Sequence, residues 1–150
     1  MRVVVQRVTF CEVTIDHVEK RRIEGGLLVL IGIGQEDGFE DIDWLVRKIV
    51  QMRIFSDQDD KMNLSVLDTG GEVMVISQFT LLASIKKGNR PSFIYSAKPE
   101  QAIPLYTQFL KAMTRALQKP VNSGEFGAQM NVHFENDGPI TIFIDSKNRE

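Results

Sequence analysis

The run of residues 27–34 constrains the fold more than any other part of this sequence. Its side chains are apolar on both phases of a strand, whereas a strand with one face in water alternates apolar and polar residues. The run is also far too short to cross a bilayer. It therefore predicts a central β-strand that is buried on both of its faces.

Two amphipathic helices are predicted among further strands. Apolar residues at helical spacing predict one helix over residues 39–54 and a second that begins at Pro99 and ends near Lys119. Residues 17–26 form a polar hairpin region. The other predicted strands are residues 2–8, 10–15, 72–78, 128–134 and 140–144. We expect the first two to pair with each other, and the last two to pair through a turn at residues 136–139. This order is typical of a mixed α/β domain with a largely antiparallel sheet.

Composition bounds the class of protein. The chain has 150 residues, 43% of them hydrophobic, which fits one globular domain over residues 1–150 and excludes wholesale disorder. A formal charge of -2 excludes a polycation that coats nucleic acid, although a local basic patch remains possible. The lone cysteine, Cys11, cannot form an intrachain disulfide or a multi-cysteine zinc site. With no signal-peptide pattern before the first strand, we expect a cytoplasmic protein without a membrane partner.

Several common catalytic and metal-binding patterns are absent from the sequence. There is no phosphate loop, dinucleotide fingerprint or zinc helix. His17 and His133 are far apart and fall at polar positions, and Cys11 has no activating motif beside it. The acidic clusters at residues 41–43 and 57–60 lack the pattern of a calcium loop. We therefore expect neither a metal nor a cofactor.

Ser77, Gln78, Phe79 and Thr80 follow an apolar strand and carry candidate chemistry. Backbone amides at a strand end can face a carbonyl oxygen, and Thr80 has a hydroxyl suited to a nucleophile or a hydrogen-bond donor. The alternative is a half-buried strand end whose hydroxyls bond locally. Composition alone favours that alternative.

Gly138 and Pro139 follow Asn136 and Asp137, all residues that favour turns. A turn is the simpler interpretation of this segment. The other is a rigid peptide edge that directs main-chain carbonyls towards a site.

Lys86, Lys87 and Arg90 surround a glycine, and Phe93 follows two residues after Pro91. No regular element favours this segment, so a loop is predicted. Such a loop can contact nucleic-acid phosphates, with an aromatic ring available for stacking. A solvated loop is the alternative.

These segments together resemble the D-aminoacyl-tRNA deacylase family, also called the D-tyrosyl-tRNA deacylase family. The similarity runs through nearly the whole chain. Its most specific parts are the Ser-Gln-Phe-Thr motif at residues 77–80 and the Asn-x-Gly-Pro motif at residues 136–139. Further matching segments are residues 1–8, 26–30, 47–49, 53–55, 61–67, 87–93 and 124–127.

The resemblance implies a barrel-like homodimer with its active sites at the subunit interface. It implies hydrolysis of the ester between a D-amino acid and tRNA, a proofreading step that acts in trans and rejects L-aminoacyl-tRNA. Gly138-Pro139 would be cis and inserted into the pocket of the partner subunit, where it excludes L side chains. Glycine has no such side chain, so glycyl-tRNA mischarged on tRNA-Ala is also an expected substrate.

The resemblance also assigns roles to residues. Thr80 takes the place proposed for a nucleophile; in the competing view the ribose 2′-OH of the substrate activates water, while backbone amides near Phe79 stabilise the oxyanion. Ser77 and Gln78 would line the pocket. Further expected roles are that Arg7 fixes the Gly-Pro segment and that Met130 packs against it. From their charge alone, Lys86, Lys87 and Arg90 are expected to contact tRNA phosphates.

Two alternatives remain at this point. One is an enzyme of the same fold that removes a misplaced L-amino acid, which an intact Gly-Pro motif argues against. The other is a dimeric RNA-binding module without chemistry, which would not require the complete Ser-Gln-Phe-Thr motif. DNA is not an expected partner.

Overall fold

The computed structural model describes residues 1–149. Its regular elements in chain order are β1 (Arg2–Ile15), β2 (Glu19–Ile23), β3 (Gly26–Gly32), α1 (Phe39–Gln51), β4 (Phe55–Ser56), β5 (Met62–Leu64), α2 (Val66–Thr69), β6 (Glu72–Ser77), a 3-10 turn (Phe79–Leu82), α3 (Pro99–Leu117), β7 (Asn122–Ser123) and β8 (Met130–Asp145). The two predicted helices and the central strand are confirmed.

The main sheet has the order β2-β1-β3-β6-β7, with β8 on the other edge of β1. β1 pairs antiparallel with β2, β3 and β8, whereas the β3–β6 and β6–β7 pairs are parallel. The Arg21 guanidinium on β2 donates to the Ser123 carbonyl on β7 at 2.7 Å, so the sheet curls until its ends approach each other. The result is a mixed α/β domain with a nearly closed, barrel-like sheet.

Two hydrophobic cores account for the apolar character of β3. Leu27, Val29 and Ile31 pack towards α1 and α3, in the core between the sheet and the helices. Leu28 points the other way, into a core enclosed by the curled sheet with residues such as Cys11 and Met74. Each fully buried side chain of this size contributes about 1.5–3 kcal/mol of hydrophobic stabilisation. A strand buried on both faces is therefore what the sequence of β3 requires.

Two predicted strand pairs are wrong. Residues 2–8 and 10–15 form one continuous strand, β1, and residues 130–145 form another, β8, which pairs with β1 along its length. The register shifts between Gln6 and Phe10, because β8 inserts extra residues there. Turn-forming residues 136–139 therefore make a bulge in a long strand, not a hairpin. The predicted polar hairpin region also contains a short edge strand, β2.

The N-terminal ammonium group lies in a buried network of charges. It donates to Asp37 Oδ1 at 2.5 Å and to Ser146 Oγ at 2.7 Å. Ser146 Oγ in turn donates to Asp41 Oδ1 at 2.6 Å, and Lys147 Nζ donates to Asp41 Oδ2 at 2.9 Å. Residues that follow β8 are thereby fastened to the start of α1.

Asp41→Asn is expected to destabilise the protein by about 2 kcal/mol near pH 7. Burial opposes ionisation of Asp41, but the network and the Gly38 N–H outweigh it and lower its pKa to about 2. This stabilisation is complete above the unfolded-state pKa near 4 and is lost as the pH falls through the folded-state value. Urea unfolding should show roughly half the difference at pH 3. The exposed Asp43→Asn on the same helix is the control, and an equal effect of both substitutions would contradict the assignment.

Candidate active site

The segment Ser77, Gln78, Phe79 and Thr80 lies where two parallel strands end. β6 ends at Ser77, and the Gln78 N–H donates to the Ile31 carbonyl near the end of β3 at 2.7 Å. The 3-10 turn follows at once, with Leu81 N–H donating to the Gln78 carbonyl at 3.2 Å. The carboxyl ends of parallel strands are a common place for ligand sites, because the turns there present free backbone groups.

In the described residues, the first two N–H groups of this turn do not donate to a backbone carbonyl of the turn. Phe79 and Thr80 head the turn, where no preceding turn supplies an acceptor. Within residues 1–149, Leu81 is the first residue of the turn that donates inward to its backbone. The N–H groups of Phe79 and Thr80 are therefore the donors available to an oxyanion.

Thr80 has no base beside it. Among the described residues, the side chain hydrogen-bonded to Thr80 Oγ1 is that of Gln78, and an amide does not accept a proton near neutral pH. His133 instead contacts Phe10 on β1, at 5.1 Å between ring centroids. Burial raises the pKa of Cys11 to about 11, so its thiol stays protonated and unreactive.

A cavity of about 280 Å³ adjoins this turn. Ser77, Gln78 and Phe79 form one wall, and Met130 forms part of the other. Its remaining lining residues are Ile76, Phe126, Gly127, Ala128 and Val132. Sequence reasoning did not assign these five to the site, although the Gly-Glu-Phe-Gly segment was part of the family resemblance and its spacing could have singled out Phe126.

Gly138 and Pro139 project from the bulge in β8, and the peptide bond between them is cis, as the resemblance implied. Gly138 has φ +118°, a conformation that favours glycine, and an added Cβ would lie 2.9 Å from Ile140 Cγ1. Both residues of the dipeptide are exposed. The segment is therefore a protruding edge of main chain with little freedom to accept a side chain.

Arg7 anchors the bulge from the opposing strand. Its Nη1 donates to the Ile54 carbonyl at 2.7 Å, and its Nε lies 2.8 Å from Asp137 Oδ2. Only 11% of the Arg7 side chain is exposed. This geometry agrees with the expected role of Arg7 in fixing the Gly-Pro segment.

Among the described residues, those that line the cavity beside the Ser77–Thr80 turn do not include Gly138 or Pro139. Arg2 Nη1 donates to the Leu81 carbonyl at 3.1 Å, which places the Ser77–Thr80 turn at the Arg2 end of β1. The Gly-Pro bulge sits opposite Arg7, about 17 Å further along the strand. Met130 pairs with Ile15 at the far end of β8 and lines the cavity beside Ser77, so it does not pack against Gly138 of its own chain.

The basic loop lies beside the turn. Lys86, Lys87 and Arg90 are exposed, and none of them forms an ion pair with a carboxylate within residues 1–149. Two backbone hydrogen bonds between Ser84 and Ser92, of 2.8 and 2.9 Å, close the loop at its base. Its cations are thus free to meet an anionic ligand next to the candidate site.

Groups of three or more His, Cys, Asp or Glu that could hold a metal ion are not found among the described residues. No helix within residues 1–149 is long and apolar enough to span a membrane.

Comparison with known proteins identifies the family. The D-Tyr-tRNA(Tyr) deacylase family matches residues 4–145. The D-aminoacyl-tRNA deacylase of Bacteroides thetaiotaomicron is 57% identical over 150 residues and covers all of both chains, and that of Flavobacterium johnsoniae is 54% identical over the same length. These matches define the chain as a hydrolase. It belongs to the D-aminoacyl-tRNA deacylase family.

Solved structures share the fold. One described as "c-Myc DNA Unwinding Element Binding Protein" has a TM-score of 0.91 and 40% identity, and the alignment covers 97% of this chain and 98% of that one. A probable eukaryotic D-amino acid tRNA deacylase has a TM-score of 0.82 at 19% identity, with 95% and 97% covered. The second likeness is one of fold alone.

Arg7→Lys tests whether the anchor matters to the site. A lysine ammonium is a single point of positive charge and cannot hold the Ile54 carbonyl and the Asp137 carboxylate as the guanidinium does. We expect a stability loss of about 1–2 kcal/mol and a fall of about tenfold or more in the deacylation of D-aminoacyl-tRNA. The control is Arg22→Lys on β2, whose guanidinium pairs with Glu24 and lies over the Phe10 ring, away from the bulge. A wild-type deacylation rate in Arg7→Lys would contradict the role.

Proposed function

We propose that the protein hydrolyses the ester bond of D-aminoacyl-tRNA, releasing free tRNA and the D-amino acid as a proofreading step in trans. The observation that carries this proposal is the pair of N–H groups on Phe79 and Thr80 that head the 3-10 turn, of which Phe79 lines a cavity of about 280 Å³. Relatives named for this activity at 57% identity over the full length support it. A cytoplasmic location, where charged tRNA is found, is part of the proposal.

The reaction is an attack of water on the ester carbonyl. The carbonyl oxygen becomes an oxyanion that the two amides stabilise, and each such donor is worth about 10²–10³ in rate. Because no side-chain base reaches Thr80, the proton of the attacking water goes to the substrate side, with the 2′-OH of the terminal ribose as the relay. The ester C–O bond then breaks and the proton passes to the 3′-oxygen of the tRNA. Thr80 helps to orient the turn through its bond with Gln78.

Rejection of L-amino acids requires a second copy of the chain. We assign to Gly138-Pro139 of one subunit the role of entering the partner's cavity beside Ser77 and Phe79. Three features support this role: the dipeptide is exposed, Arg7 and Asp137 anchor its base, and it is not among the described residues that line the cavity of its own chain. Backbone atoms have no side-chain rotamer that could change, so the Gly138-Pro139 segment excludes an L side chain sterically. A glycyl group presents no side chain, and glycyl-tRNA mischarged on tRNA-Ala is therefore also a substrate.

The tRNA itself is held by charge. The unpaired cations Lys86, Lys87 and Arg90 meet phosphates of the acceptor end, which fixes the position of the ester without reading the amino acid. An RNA-binding module without catalytic activity would need neither the cavity nor the amides of Phe79 and Thr80, and this argues against that alternative. The protruding Gly-Pro edge is the argument against a deacylase for L-amino acids.

Thr80→Ala is expected to retain most of the single-turnover rate, because no base activates this hydroxyl. D-aminoacyl-tRNA that ends in 2′-deoxyadenosine should react about 100-fold more slowly, since it lacks the proposed proton relay. Thr107→Ala, at an exposed position of α3, is the control for loss of a threonine hydroxyl. Near-complete loss of activity in Thr80→Ala, together with normal cleavage of the 2′-deoxy substrate, would instead make Thr80 the nucleophile.

Gly138→Ala is expected to slow D-aminoacyl-tRNA hydrolysis by about tenfold or more and to weaken the preference for D over L substrates. The added methyl group clashes with Ile140 at a positive φ and displaces the Gly138-Pro139 segment. Gly70→Ala is a matched control, because Gly70 also has a positive φ but has open space around its Cβ position. Hydrolysis of D- and L-aminoacyl-tRNA by each variant is the measurement. An unchanged rate and preference in Gly138→Ala would reduce the dipeptide to a turn.

A further inference from the structure

The segment of residues 92–97 joins the basic loop to the candidate catalytic turn. At one end, Ser92 is paired with Ser84 at the base of the loop. At the other end, the Ala97 N–H donates to the Ile33 carbonyl at 2.9 Å, and the Tyr95 carbonyl accepts from Gln35 N–H at 3.2 Å. The segment is therefore held against the end of β3, beside the turn that follows β6.

Two side chains of this segment contact Phe79 directly. The Phe93 ring lies edge-on to the Phe79 ring, with centroids 5.0 Å apart. Ser96 Oγ donates to the Phe79 carbonyl at 3.2 Å. Phe79 is 54% exposed, and these two contacts add to the restraint that the 3-10 turn places on it.

The Ser96 hydrogen bond has a specific geometric consequence. The carbonyl of Phe79 and the N–H of Thr80 belong to the same peptide unit, which is planar. A donor that fixes the direction of this carbonyl also fixes the direction of the Thr80 N–H on the opposite side of the plane. Ser96 therefore orients one of the two amides assigned above to the oxyanion, although it does not touch the reacting atoms itself.

The same segment connects these contacts to RNA. Lys86, Lys87 and Arg90 lie between Ser84 and Ser92, so phosphates that bind the cations restrain the loop at the point where residues 92–97 begin. An enzyme gains rate when the binding energy of a remote part of the substrate is used to order the reacting groups. The contacts that run from the basic loop through residues 92–97 to the Phe79–Thr80 peptide could transmit binding energy in this way.

We propose that Ser96 and Phe93 are positioning residues for the Phe79–Thr80 peptide, and that tRNA phosphates bound at the basic loop act through them to raise the rate of deacylation. This proposal rests on the proposed function and deepens it. It predicts that the acceptor stem contributes to kcat as well as to KM.

The test compares two substrates, D-aminoacyl-tRNA and 3′-O-D-aminoacyl-adenosine, which lacks the acceptor stem. The wild-type protein should show a higher kcat with the tRNA substrate. Ser96→Ala and Phe93→Leu should each lower kcat by about tenfold on both substrates, with KM changed less than about twofold. Ser96→Thr keeps a hydroxyl and should restore kcat. Ser92→Ala is the matched control, because Ser92 joins the loop through its backbone and not its side chain.

A triple variant in which Lys86, Lys87 and Arg90 are each changed to Gln tests the connection to RNA. It should raise KM for tRNA, make the salt dependence of binding shallower, and lower kcat on tRNA to the value found with the adenosine substrate.

The opposing outcomes are distinct. Wild-type kcat in Ser96→Ala and Phe93→Leu, with unchanged melting temperatures, would overturn the positioning role. A triple variant that raises KM for tRNA but keeps wild-type kcat would overturn the coupling to RNA. Failure of the wild-type protein to hydrolyse either substrate would instead refute the proposed function.

Discussion

The structure depends on β1 being paired along both of its edges. β8 covers one edge over nearly the whole strand, while β3 covers the first half of the other edge and β2 the second half. A single strand thus pairs with β2, β3 and β8 and contributes side chains to both hydrophobic cores. The bulge that interrupts its pairing with β8 lets the long ribbon bend around the inner core, because a bulge increases local bend and twist. The curled sheet and the protruding bulge are two consequences of one irregularity.

The same strand contacts both candidate segments. Arg2 donates to the Leu81 carbonyl in the 3-10 turn, and Arg7 holds the base of the Gly-Pro bulge. In the proposed function, a second copy of the chain brings its Gly-Pro bulge to this turn.

Local sequence patterns predicted the individual helices and the central strand, but not the features that depend on pairing between strands distant in sequence. Residues 27–34 were apolar on both phases, and β3 is buried on both faces. The parallel β3–β6 pair, which places Ser77 beside the end of β3, has no signature in either segment alone. Residues 136–139 resembled a hairpin because bulges and turns favour the same residues. Phe126 was part of a segment that matched the family, but its place in the cavity depends on the contact of Gly124 with Val75 on β6, which has no local signature.

In the proposed mechanism, main-chain groups stabilise the oxyanion and exclude L-amino acids. Side chains then affect function by controlling how these main-chain groups are oriented. A backbone amide cannot be removed by substitution, except by proline, so its orientation is what side chains control. Ser96 acts on the Phe79–Thr80 peptide, and Arg7 acts on the bulge that carries Gly138. Neither side chain lies where a substrate atom would react. In that mechanism, the residues that decide rate and stereochemistry are those that hold peptide planes in place.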